Sequence, residues 1–115
     1  MDTVKEPTAV KTPWIKNLGD VPAHLEYPDC SLYENLERCA NRYPNLTAYV
    51  FMGRKTTYRT LLQEVNLCAR ALKATGIRAG DKVTIAMPNC PQAVIMFYAV
   101  NLVGAVANMI HPLSS

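Results

Sequence analysis

After Lys82 the chain runs on without a single Lys, Arg, Asp or Glu: "VTIAMPNCPQAVIMFYAVNLVGAVANMIHPLSS". His111 is the one residue of that tail that could carry a positive charge near neutral pH. A helix that is apolar on every side is either buried or in a membrane, and a strand covered on both faces reads as an unbroken apolar run. Three arrangements could house such a tail. A membrane span over Ala93 to Ile110 would be near the minimum length, but Asn101, Gly104 and Asn108 interrupt it and no basic anchor follows. A phosphate-gripping turn at "MPNCPQ" would use the anion affinity of a helix N-terminus. Phosphate loops need glycines so that the backbone can wrap the ligand, and here Pro88 and Pro91 occupy the turn. The third arrangement, a βαβ unit buried on all sides, fits the pattern best.

The elements that deliver this unit are legible. Residues 1–30 form an extended lead-in, with Pro7, Pro13, Pro22 and Pro28 recurring and no apolar period; Trp14 could anchor it to a body surface. "SLYENLERCANRYP" predicts a helix: Ser31 and Glu34 make a capping box, Leu32, Leu36, Cys39 and Ala40 share a face, and Pro44 enforces the stop. "LTAYVFMG" predicts a short strand ended by Gly53. "RKTTYRTLLQEVNLCARALKATGI" holds the clearest amphipathic helix, with a stripe of Leu61, Val65, Cys68 and Leu72 and with Gly76 placed as a C′ glycine. "GIRAGD" is a turn. Lys82 to Met87 predicts a strand with Val83, Ile85 and Met87 on one face and small Thr84 and Ala86 on the other. Asn89 with Gln92 predicts a second capping box for a helix from Pro91 to about Val103, closed by Gly104, and a last strand spans Val106 to Ile110.

Charge and cysteine content exclude several functions. The net charge is only +3, and the basic residues are scattered among acids rather than clustered on one face, which argues against nucleic-acid binding. Cys30, Cys39, Cys68 and Cys90 form no C-x-x-C pair, and His24 and His111 fall in no ligand spacing, so no metal site is expected. The opening "MDTVKEPTAVKTPW" is polar and charged, unlike a secretory signal. Four reduced thiols in a cytoplasmic protein are the expectation.

Two earlier helices and one short strand are too little to cover both faces of an uncharged tail. The chain therefore reads as a fragment, its tail the interior of something larger. A self-contained small α/β interaction module is the alternative, but it would want a polar outer face on the last helix, which the sequence lacks. A membrane-anchored accessory protein is a third possibility.

Four stretches in order, "SLYENLERCANRYPNLTAYVF", "TTYRTLLQEVNLCARAL", "GIRAGDKVTIAMPNCPQAV" and "FYAVNLVGAVANMIHPLSS", resemble the start of the adenylate-forming (AMP-binding) acyl- and aryl-CoA synthetases. In that family a threonine-tyrosine pair opens a helix, a Gly-Asp-x-Val strand runs into a Pro-Asn helix, and an A-x-x-x-G-A-V turn follows, here Ala99 to Val106. "TPWIKNLGDVPAHLEYPDCSLYENL" is similar to the lead-in of the long-chain fatty acid CoA ligases. The resemblance runs from about Trp14 to Leu113. Where long-chain ligases usually carry Asn-Pro-Leu-Tyr-Thr, this chain has His111-Pro112-Leu113-Ser114-Ser115.

The resemblance implies an α/β fold, the incomplete N-terminal portion of the adenylate-forming enzyme fold, with residues 31–115 the first part of the large N-terminal domain. It implies that the parent enzyme uses ATP, Mg²⁺ and coenzyme A: a carboxylate, here a fatty acid, attacks the α-phosphate to give an acyl-adenylate, and the coenzyme A thiol then displaces AMP. Such chemistry needs a glycine- and hydroxyl-rich phosphate loop, an acidic metal ligand and a mobile lysine. In the family these lie downstream, so no catalytic, cofactor-binding or metal residue is assigned to this chain. His111 reads as structural or solvated rather than catalytic. Trp14, Leu61, Val65, Leu72, Val83, Ile85, Ile95, Phe97 and Tyr98 are expected in the core rather than in a pocket. The isolated chain is expected to be inactive and to self-associate through its uncovered apolar surface.

Overall fold

The structure, a computed structural model, describes residues 12–113. The first part of the lead-in, with Pro7, and the terminal Ser114 and Ser115 lie outside the described residues. The rest of the lead-in holds one short 3₁₀ turn, Ile15–Asn17, and is otherwise without regular structure. Trp14 does not anchor it. Its side chain is 59 % exposed, and Val21, Leu25 and Tyr27 are exposed as well, so nothing here contributes to a core.

Helix α1, Leu32–Arg42, begins where the sequence requires. The Ser31 N–H donates to Glu34 Oε2 at 2.6 Å, and the Glu34 N–H donates to Ser31 Oγ at 3.1 Å, a complete capping box. The buried face is shifted from the expected one. Tyr33, Leu36 and Ala40 face inward, whereas Leu32 is half exposed. The cause is long-range: the Tyr33 N–H donates to Asn101 Oδ1 at 2.9 Å, and the Tyr33 hydroxyl donates to Asn66 Oδ1 at 2.8 Å. One tyrosine thus ties α1 to the two helices that follow, and those bonds set which way the helix rolls.

An antiparallel hairpin follows, β1 Thr47–Phe51 and β2 Arg54–Thr57. The second strand falls in a stretch grouped above with the amphipathic helix. Its turn, Met52-Gly53, has φ of +48° and +79°, the two positive values of a tight hairpin loop. Methionine at the first position hid the turn, since asparagine or aspartate before glycine is the usual sign. Helix α2, Tyr58–Ala74, then starts on the threonine-tyrosine pair, with Thr57 Oγ1 accepting from the Thr60 N–H at 3.3 Å. It closes at Thr75, and Gly76 follows at φ +96°.

The βαβ unit is formed by β3 Lys82–Ile85, α3 Pro91–Val103 and β4 Val106–Met109. β3 and β4 pair in parallel, Lys82 opposite Val106 through Ile85 opposite Met109. Arg78 to Asp81 makes the turn into β3, with the Arg78 N–H donating to Asp81 Oδ2 at 2.7 Å. Gly104 ends α3 at φ +83°, and a Cβ there would stand 3.3 Å from the Ala79 methyl, so both backbone and space ask for glycine. The Gly80 N–H donates to the Gly104 carbonyl at 2.9 Å, which locks the two turns together.

The expected box of Asn89 and Gln92 does not form. Cys90 is the N-cap, without a side-chain cap bond, and Pro91 is the first helical residue. Proline's fitness for that position fixes the start one residue later than asparagine's capping preference predicts. The core lies between the three helices, where Tyr33, Leu36, Leu61, Val65, Ala69, Ala99 and Val103 pack together. Ile85 is buried as expected, while Thr84 and Ala86 on the other face of β3 stay exposed. The whole is an α/β fold with a βαβ core and flanking helices.

Candidate functional site: an open apolar cleft

An open cleft of about 560 Å³ lies between the hairpin and the N-terminal half of α3. Val50 and Phe51 of β1 form one wall, Val94, Phe97 and Tyr98 of α3 the other, and Met109 of β4 closes one end. The Phe97 and Tyr98 rings stand edge to face with centroids 5.6 Å apart. Both residues were expected in the core; both are half-buried and line the cleft, Tyr98 packing against the core cluster as well, while Phe97 does not join it. No charged side chain lines it. Such a surface can bury apolar groups, but it holds no acid–base pair.

The other residues singled out do not converge. His111 is exposed, and its Nδ1 accepts from the Leu113 N–H at 3.2 Å, a local turn bond. The four cysteines are half-buried and unpaired. Burial pushes the Cys68 thiol up from its ordinary value, and its sulfur lies 4.0 Å from that of Met96, in packed surroundings. Burial, reinforced by the Glu37 carboxylate, also raises the Tyr33 phenol. Among the described residues no three His, Cys, Asp or Glu side chains come together to hold a metal ion, and no helix is long and apolar enough to cross a membrane. The uncharged tail is broken by Gly104, with a 13-residue helix on one side and a strand on the other.

Sequence reading missed a half-buried polar link between the helices. Periodicity alone puts Asn66 on the outer face of α2, and Asn101 stands only as an interruption of an apolar tail. Both are half-buried hydrogen-bond partners of Tyr33. A lone asparagine on an otherwise apolar helix was the available signal, since a buried amide must find a partner.

A three-helix layer against a parallel βαβ unit is the arrangement of an N-terminal adenylate-forming subdomain. The family model for AMP-binding enzymes matches residues 36–115, and the chain belongs to that family. It is similar to a long-chain-fatty-acid–CoA ligase of Bacillus subtilis, 35 % identical over 102 residues, which covers 88 % of this chain and 18 % of that protein. It is also similar to an acetyl-coenzyme A synthetase of Emericella nidulans, 37 % identical over 98 residues, covering 80 % of this chain and 15 % of that one. Among solved structures, a Mycobacterium tuberculosis fatty acyl CoA synthetase matches with a TM-score of 0.71 at 33 % identity, over 74 % of this chain and 17 % of that one. The N-terminal subdomain of Klebsiella oxytoca NpsA matches with a TM-score of 0.72 at 27 % identity, over 74 % of this chain and 22 % of that one. The chain thus spans less than a fifth of the length of these curated relatives.

Among the described residues, those lining the cleft offer no charged seat for ATP or Mg²⁺. The α3 N-terminus faces the cleft with Pro91 in its first position, which removes one N–H donor, and Cys90 supplies no cap bond. No charged side chain lines the cleft, so a polyphosphate there would lose its hydration with no countercharge in return.

Proposed function

We propose that this chain forms part of the N-terminal region of an ATP-dependent acyl-CoA ligase that acts on a fatty acid in the cytoplasm. The observation that carries this reading is the 35 % identity to a long-chain-fatty-acid–CoA ligase along 88 % of the chain. Fatty-acid ligases of Bacillus subtilis and Yersinia pestis are matched over 88 % and 87 % of the chain, and the Emericella acetyl-coenzyme A synthetase over 80 %, which favours the fatty acid as the carboxylate. The parent enzyme would use ATP, Mg²⁺ and coenzyme A to make the acyl-adenylate and then the thioester.

Within that enzyme, residues 1–30 are a lead-in and residues 31–115 the first part of the large N-terminal domain. Their role is architectural: three helices and a parallel strand pair back a site built by other residues. The chain by itself is inactive, binds no nucleotide and self-associates through its exposed apolar surface.

Calorimetry of the 115-residue chain with ATP and Mg²⁺ is expected to show no heat of binding. Stoichiometric micromolar binding would overturn the assignment of the site to other residues. Pyrophosphate release by the product of the native gene is expected with hexadecanoate; release with acetate alone would overturn the fatty-acid assignment.

A further inference from the structure

The tip of the β1–β2 hairpin carries a residue that folding alone does not ask for. Met52 holds φ +48°, in the left-handed region where glycine, asparagine and aspartate are favoured. It is also 91 % exposed, the barest of the large apolar side chains among the described residues. A methionine there strains the backbone and buries nothing in return.

The strand register arranges its neighbours. Cross-strand partners share a face of the ribbon, and successive residues take opposite faces. Phe51 therefore stands beside Arg54 on one face, and Val50 beside Lys55 on the other. All four are exposed, Val50 to 57 % and Phe51 to 40 %. The tip thus has an apolar apex and, on each face, one apolar side chain next to one cation. Glu64 of α2 borders the same small hollow as Arg54 and offsets part of its charge.

The two cations also argue that the tip stays at the surface of the parent enzyme. A layer of protein laid over it would strip Arg54 and Lys55 of water on opposite faces at once, a large cost for unpaired charges. A partner protein docks on one face, whereas a fluid interface meets the apex and both faces together. Long cationic side chains suit such an interface, with their stems among apolar groups and their charges kept in the polar layer.

We propose that this tip is a membrane contact. Met52, with Phe51 and Val50 behind it, enters the boundary between headgroups and acyl chains of an anionic lipid surface, and Arg54 and Lys55 meet the headgroup phosphates. The proposal goes beyond the ligase reading and does not depend on it, since lipid binding is scored without substrate.

Co-sedimentation of the native gene product with lipid vesicles tests this, with mixed phosphatidylglycerol and phosphatidylcholine set against phosphatidylcholine alone. The protein is expected to pellet with the mixed vesicles, to stay in the supernatant with phosphatidylcholine, and to be released by raised salt. Met52→Asn removes the apolar apex and gives the turn a residue that suits its φ, so the hairpin is kept. It should weaken binding about tenfold, the effect of exposing one apolar side chain. Arg54→Thr together with Lys55→Thr keeps strand-forming residues and should weaken binding about twentyfold, at roughly fivefold for each cation. Thermal melting of both variants should match that of the unaltered protein. A native protein that stays in the supernatant with both vesicle types overturns the proposal. Full binding by either variant overturns it too: by the first, the entry of Met52, and by the second, the role of the cations.

Discussion

Helix α3 is apolar on all sides, yet its two ends are treated differently. Toward its C-terminal end, Ala99, Val100 and Val103 are buried, packed against α1, α2 and the strands. Toward its N-terminal end, Val94 is 40 % exposed and Phe97 and Tyr98 border an open cleft. Ala93 is buried at that end too, so the apolar side chains there differ by which face of the helix has a covering element. An apolar side chain contributes about 25 cal/mol for each Å² taken out of water, so the same residue type is structural at one end and unspent potential at the other.

The comparison breaks most sharply at the core end. Leu61→Ala is expected to destabilise the chain by about 2–5 kcal/mol, since Leu61 is 4 % exposed and the three helices converge there. Urea unfolding followed by circular dichroism measures it; a midpoint unmoved by that substitution would mean the helical layer is not the core. Asn101→Ala should cost about 1–3 kcal/mol, because the Tyr33 N–H at the head of α1 loses its acceptor in a half-buried setting. Asn101→Asp, which keeps an acceptor, should recover part of that loss in the same urea experiment. At the exposed N-terminus of α1, Ser31→Ala should cost about 1 kcal/mol, the ordinary price of a lost helix cap. At the open end of α3, Val94→Ser should shift stability by no more than about 0.5 kcal/mol. A loss there as large as at Leu61 would show that the cleft is closed in solution.

The α1 cap also carries a pH dependence with a definite sign. The Ser31 backbone N–H, and then its hydroxyl, hold the Glu34 carboxyl below its ordinary value of 4.5. A carboxyl whose pKa falls on folding adds stability that is fully present above the unfolded value and is lost as pH drops through the folded one. Helix content should therefore decline in acid, below the ordinary glutamate range. In Glu34→Gln that component of the acid transition should be absent, as read by circular dichroism between neutral pH and about pH 2.

How much of this was legible beforehand can be traced residue by residue. The Ser31–Glu34 box, the Gly76 and Gly104 stops and the βαβ order follow from local patterning, the Thr57-Tyr58 helix start from the family resemblance, and all appear where expected. The Met52-Gly53 hairpin was hidden by an unusual turn residue, and the Cys90 cap by a proline that outcompeted asparagine. The family was legible too, because ordered motifs survive in sequence even when each alone is unspecific. The cleft was not: Phe97 and Tyr98 have the chemistry of core residues, and their position at an open wall depends on what packs over that face of α3.

By itself, then, the sequence determined the elements other than β2 and its hairpin turn, their order and the family, since periodicity, caps and turn residues work locally and need no partner. Only the tertiary structure decided which apolar surface is covered and which way α1 faces. The bond that turns Tyr33 inward reaches across 68 positions to Asn101, and no local pattern encodes a partner that distant. Burial is a property of what packs against a residue, and that is settled only when the helices and strands meet.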